Sequence, residues 1–213
     1  MNNHHIYQRI IIFLLGLFIM SIGIDLSCLA DLGSSPISSV PWVLSMFTGY
    51  TIGEITIALN ILFIAAQPPL LGKIYWREII GQLVTLLFFG KLIDLSMTLL
   101  YFVHPADLYA KWAYCILGTI ILAFGVFLCI KAKVFVAAGE GIVLALAFRT
   151  KVKFSIVKNC FDITLVIISS IISITEFHYL KGVGIGTFAA AILVGRWVQL
   201  YSNKIQFLDK WCD

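Results

Sequence analysis

Charge is what this sequence has least of. Only 12% of its 213 residues are Asp, Glu, Lys or Arg, about half the share that an ordinary soluble domain carries. Between Arg9 and Lys73 there is no basic residue, and the acids in that stretch are Asp25, Asp31 and Glu54. No soluble surface can be assembled from such a run, whereas a hydrocarbon span takes only about 20 apolar residues. With 61% of residues hydrophobic, the composition points to a polytopic membrane protein with nearly all of its length in the bilayer. Paired cysteine motifs are missing as well. Cys28, Cys115, Cys129, Cys160 and Cys212 show no CxxC or CxxH spacing and read as small buried hydrophobes. HExxH, GxSxG and paired transmembrane aspartates of the protease type do not occur. The expectation is a protein that is not an enzyme, with no catalytic residues, no cofactor and no metal. Nucleic-acid binding needs clustered bases on a folded face, so the net charge of +4 reads as a loop-orientation signal.

Internal repetition organises what is there. At a shift of 102 positions Gly16 falls on Gly118, Gly23 on Gly125, Ala30 on Ala132, Thr48 on Thr150, and Asn60 on Asp162. At a shift of 105, Gly81 meets Gly186, Gly90 meets Gly195, and Lys91 meets Arg196. Paired glycines followed at once by a base are hard to obtain by chance from apolar text. The chain therefore divides into a first repeat, 1–106, and a second, 107–213. Arg9, the apolar run after it and Leu29-Ala30-Asp31 imitate a signal peptide. Asp25 interrupts that run and the segment has a second copy, so it reads as the first span.

Each repeat holds three convincing spans, about 8–29, 52–71 and 77–102, then 112–131, 154–175 and 183–202. Each also holds one short segment, 34–47 or 139–148. Ten to fourteen helical residues rise only about 15 to 21 Å, short of a core of about 30 Å, so these fit re-entrant half-helices. Loop bases agree, because Lys and Arg accumulate in cytoplasmic loops. With re-entrant segments and a cytoplasmic N-terminus, Arg9, Lys73, Arg77, Lys131, Lys133, Arg149, Lys151, Lys153, Lys204 and Lys210 lie inside. Lys111 and Lys181 lie outside. Three spans per repeat invert the second copy, which gives an all-α protein of two inverted-topology repeats. Such repeats with broken helices are a recurrent transporter plan, with the site at the midplane.

The broken segments supply candidate ligands. Ser35-Pro36 is a good helix start, proline at the first position and serine capping, and Gly33 allows the reversal into it. Gly139 and Gly141, flanking Glu140, are expected to give the same latitude. Both helix N-termini should face a shared cavity suited to an anion or carboxylate. The solute-binding candidates are Ser34, Ser35, Ser38, Gly139, Glu140, Gly141, Lys91, Arg196, Asn60 and Asp162, with Asp31 and Glu140 as coupling candidates. Bases within spans are functional by default, although Arg196 could snorkel and Lys91 could pair with Asp94. Asn60 and Asp162 could line the path or form an interhelical bond. Asp25 and Lys158 read as interfacial. The paired glycines read as close-packing scaffold, and Trp76, Trp112 and Trp211 as interfacial anchors. His104 and His178 fall in outer loops, and His4 and His5 in the tail.

Ala30-Asp31-Leu32-Gly33-x-Ser35-Pro36, followed by Thr48-Gly49, Gly53, Gly81 and Gly90-x-x-Ile93-Asp94, resembles the YczE/YyaS/YitT-type bacterial membrane proteins, and most of all the YczE branch. The chain departs from that pattern at Ile37-Ser38, where the family would show Trp-Asp, and at Gln82-Leu83, where it would show Thr and Asn. The resemblance implies a bacterial inner membrane and little about chemistry. The function expected is a small secondary transporter or channel-like permease for a small anionic or zwitterionic solute. A non-transporting subunit that recruits or stabilises a partner through the loop Arg149–Lys153 is the alternative. The partners expected are the lipid bilayer and the solute, with further copies of the chain left open.

Overall fold

Lipid offers no partner for backbone N–H and C=O groups, so a spanning chain must satisfy them within its own helices or in a closed barrel. Here the solution is helical. The computed structural model describes residues 3–205, with side chains from Ile6 onward; Lys210, Trp211 and Cys212 lie outside the described residues, as do the side chains of His4 and His5. Eight helices follow in order: α1 (Asn3–Leu29), α2 (Pro36–Thr48), α3 (Ile52–Leu71), α4 (Trp76–Leu99), α5 (Leu108–Ala132), α6 (Ala138–Thr150), α7 (Phe154–Phe177) and α8 (Ile185–Lys204). There is no strand among the described residues.

Five of these, Ile6–Leu29 of α1 together with α3, α4, α5 and α7, are long and apolar enough to cross a membrane, which makes this a multi-pass membrane protein. Leu15, Leu62, Phe88, Ile163 and Ile171 are exposed on their outer faces, as helices facing hydrocarbon require. α8 has the length, 20 residues, but Arg196 and Gln199 dilute its apolar character. Trp76 is exposed and Trp112 half-buried.

α1 and α5 form the central seam. A side chain at Gly16 would run into Cys129, one at Gly125 into Met20, one at Gly23 into Leu122, and one at Gly118 into Ser27. Partners on α5 count backwards as those on α1 count forwards, so the helices are antiparallel and their backbones touch. Polar groups lock both ends. Arg9 donates from Nε to Ala132 O at 2.8 Å and from a terminal nitrogen to Lys133 O at 2.5 Å, capping the negative end of α5. At the other end Lys111 pairs with Asp31 at 3.0 Å. Close packing at the glycines is as the sequence suggests, with one exception: a side chain at Gly195 would meet nothing within 4 Å.

Most of the remaining contacts come in matched sets, the exceptions being α3 on α4 and α2 on α8, which have no comparable α7–α8 or α4–α6 packing among the described residues. α1 packs on α4 and α5 on α8; α3 packs on α6 and α7 on α2; α2 touches α3 and α6 touches α7. Starts repeat too, with α2 and α6 at positions 36 and 138 and α3 and α7 at 52 and 154, each 102 apart. α2 and α6 are 13 residues each, a rise of about 20 Å.

Their register against the long helices follows from individual contacts. Ser39 donates to Ser169 Oγ at 3.0 Å, and eight residues later on both helices the rings of Phe47 and Phe177 meet edge to face. α2 and α7 therefore run parallel and end together. Carried back, Pro36 stands level with Val166, midway along α7. On the other side Ala138 shares a core cluster with Ile64 and Gly141 abuts Gln67, three residues later on both helices. α6 thus runs parallel to α3 and starts level with its middle.

Candidate functional site

Four serines gather where α2 begins, and all are buried: Ser34, Ser35, Ser38 and Ser39. Pro36 opens the helix from an extended Ser35, as its sequence requires. The serine does not cap, contrary to expectation. Ser35 Oγ instead bonds Ser38 Oγ at 2.9 Å, because the Ser38 and Ser39 amides already donate to Ser35 O at 3.0 and 2.9 Å. Ser39 Oγ also reaches Pro36 O at 2.7 Å. The reversal before α2 uses Gly33 at φ 107, a conformation that side chains resist. Leu32 O accepts from the Gly186 amide at 2.9 Å, so this turn is seated on the start of α8.

At the start of α6 the glycines do something other than turn. Gly139 and Gly141 lie within the helix, and their φ angles are not positive. What they supply is room: a side chain at Gly139 would overlap Ile37, and one at Gly141 would press on the Gln67 amide. The starts of α2 and α6 thus meet, Ile37 lying on Gly139. Glu140 is half-buried and within electrostatic reach of Lys158, which itself pairs with Asp162 one turn along α7.

Two residues outside the expected set complete this side. Gln67 and Gln82, both buried, hold each other through reciprocal amide bonds of 2.9 and 3.2 Å. They stand with Gly141 and Ala145 in a cavity of about 220 Å³ that also has Lys73, Tyr75 and Glu78 along it. Buried amides within apolar helices are the signal that marks them in the sequence, where Gln82 stands out only as a departure from a family pattern.

The other candidates are spread more widely. Lys91 and Arg196 are exposed. Lys91 does not pair with Asp94, whose Oδ1 accepts from the Gly53 amide at 2.9 Å where α3 meets α4. Asn60 is buried, but its amide donates to Thr56 O on its own helix at 2.8 Å, and Asp162 is likewise satisfied within α7. Neither forms the interhelical bond. Asp31, at φ 55, is half in solvent and held by Lys111. Lys158 is not a lone interfacial charge, given its pairing with Asp162.

Asp25 corrects the sequence reading most sharply. Near the end of a span it should be interfacial, yet it is fully buried. Ser96 on α4 donates to its Oδ2, while Oδ1 has no partner. The antiparallel seam is responsible: α1 continues to Leu29 under cover of α4 and α5, so its last turns are enclosed by protein.

An uncharacterized protein of Haemophilus influenzae is 24% identical over 201 residues, covering 93% of this chain and 85% of the relative. No solved structure matches. Neither the relative nor the matching family carries the YczE/YyaS/YitT name suggested by the Ala30–Pro36 element. The family model that matches residues 7–203 is DUF6198, a family of unknown function, and the chain belongs to it.

Proposed function

We propose that the protein is a small secondary transporter or channel-like permease for a small anionic or zwitterionic solute, built as two inverted repeats, 1–106 and 107–213. In this reading α2 and α6 are re-entrant half-helices, α8 is the sixth span, and both termini are cytoplasmic at a bacterial inner membrane. The observation that carries it is the paired register: α2 begins level with the middle of α7, α6 with the middle of α3, and Ile37 touches Gly139 between them. The antiparallel run of α1 and α5, equivalent at the same shift, supports inversion. Carriers of this plan bind at the midplane between repeats.

The two starts differ in charge, and that difference bears on the solute. Helix N-termini favour negative groups, and the α2 start adds hydroxyls and no acid. The α6 start brings Glu140, which favours an ammonium group. Together they suit a zwitterion better than a simple anion. Gln67 and Gln82 line the approach from the Lys73 end, with Asn60 and Asp162 behind. Lys91 and Arg196, being exposed, are peripheral in this reading, and Asp31 is a structural partner of Lys111.

Cysteine accessibility tests the arrangement. In a background with the native cysteines replaced, Ser38→Cys should react with an impermeant thiol reagent from the outer face and Glu140→Cys from the inner face. Labelling of both from one face would sink the inverted pathway. A second reading, a subunit that recruits a partner, draws on the exposed Arg149, Lys151, Val152 and Lys153. A stoichiometric partner that co-purifies, with no flux of amino acids or inorganic anions in liposomes, would favour it.

A further inference from the structure

Ser96 has one hydroxyl proton and two acceptors within reach. Its Oγ is 3.1 Å from Ile93 O on its own helix and is also hydrogen-bonded to Asp25 Oδ2. If Asp25 is ionised, both acceptors compete for that single proton and the carboxylate keeps at most one donor. Its Oδ1 has none, and the side chain has no exposure to water. An ionised carboxylate placed so is costly in a bilayer and badly served by its neighbours. If Asp25 carries a proton, the inventory closes. Its O–H donates to Ser96 Oγ, the Ser96 hydroxyl donates to Ile93 O, and the orphan Oδ1 is a neutral carbonyl oxygen.

Among the described residues the surroundings offer no compensating cation. The charged group within electrostatic reach of Asp25 is Asp94 on α4, itself an acid and occupied by the Gly53 amide. On α1 the titratable neighbour one turn on is Cys28, and α5 faces this level with Gly118 and Leu122, which do not titrate. We propose that Asp25 is an occluded proton-binding site between α1 and α4, loaded in the conformation seen here and emptied when these helices part. If the protein is a carrier as proposed above, this is the position at which a proton would be coupled to the solute. The site itself does not depend on that reading.

Infrared spectroscopy of the purified full chain in lipid vesicles tests it without any solute. A protonated-carboxyl C=O band is expected at neutral pH, lost in Asp25→Asn, displaced in Ser96→Ala, and converted to carboxylate bands as the pH is raised while helix content is unchanged. Asp25→Asn keeps the site neutral but brings a second amide N–H with no acceptor there, so helix content should be kept with a modest fall in the thermal midpoint. Absence of the band at neutral pH would overturn the proposal. So would a band that Ser96→Ala leaves unmoved, or one that persists until the helices melt, which would make Asp25 a fixed structural acid. Should Asp25→Asn fail to fold, Ser96→Ala still decides, since it keeps the carboxyl. Failure of solute flux with the band present would count against the transporter and leave the proton site standing.

Discussion

The two short helices share a backbone plan and differ in chemistry. α2 joins α7 through hydroxyls, Ser39 to Ser169, and is closed by aromatic rings at its end. α6 joins α3 through a glycine pressed on an amide, and an open cavity lies beside it. Equal lengths and equal register set where each helix begins, and the side chains then decide which junction is closed and which has a cavity beside it. The two helix starts are 102 residues apart and hold equivalent places; a few polar residues make them unequal.

The severest way to break the comparison is to remove what both junctions hang on. Gly23→Val at the α1–α5 seam puts a branched side chain into the backbone at Leu122, and overpacking of this kind costs about 3 kcal/mol or more at the upper end of its range. Loss of a monodisperse, helical protein on purification is expected, and retention of both would mean that the seam is not shared support. Next comes Gly139→Val, which drives the two starts apart at Ile37. It should lower stability by about 1 to 3 kcal/mol and be partly rescued by Ile37→Ala, a coupling measurable in a double-mutant cycle by thermal unfolding in detergent.

Gln67→Leu separates the junctions, because it touches only the α3–α6 side. It strands the Gln82 amide at a cost of about 1 to 3 kcal/mol, whereas Gln67→Leu with Gln82→Leu should be nearly neutral. Additive losses in the double variant would show that the amides do not act as a pair. Ser39→Ala is the α2–α7 counterpart. Polar bonds between membrane helices average about 0.6 kcal/mol, so its unfolding midpoint should shift least of these. Lys91→Ala and Arg196→Ala, with exposed side chains, should alter neither stability nor labelling at Ser38→Cys and Glu140→Cys.

Much of the helical plan is legible from the sequence. The short segments at 34–47 and 139–148 correspond to α2 and α6 within a few residues, since a proline start and a run too brief to span leave local marks. The site is less so. Ser34, Ser35 and Ser38 cluster at the start of α2, and Gly139 and Gly141 lie at the start of α6, because the text itself marks those helix starts. Lys91 and Arg196 do not join them, since periodicity on an apolar helix cannot say which face meets lipid. Gln67 is passed over, Gln82 is marked only as a departure from a family pattern and Asp25 is placed at the interface for the same reason: a single polar residue in an apolar helix looks alike whether it faces a neighbour or a headgroup.

What the sequence by itself determined is the membrane class, the helical elements and the 102-residue spacing between paired helix starts, because hydrophobic length and glycine placement act along the chain. The tertiary structure alone decided that Ser96 meets Asp25, that Gln67 meets Gln82, and that Ile37 meets Gly139. Those pairs are 71, 15 and 102 positions apart, and only the packing of one helix on another brings their atoms within reach.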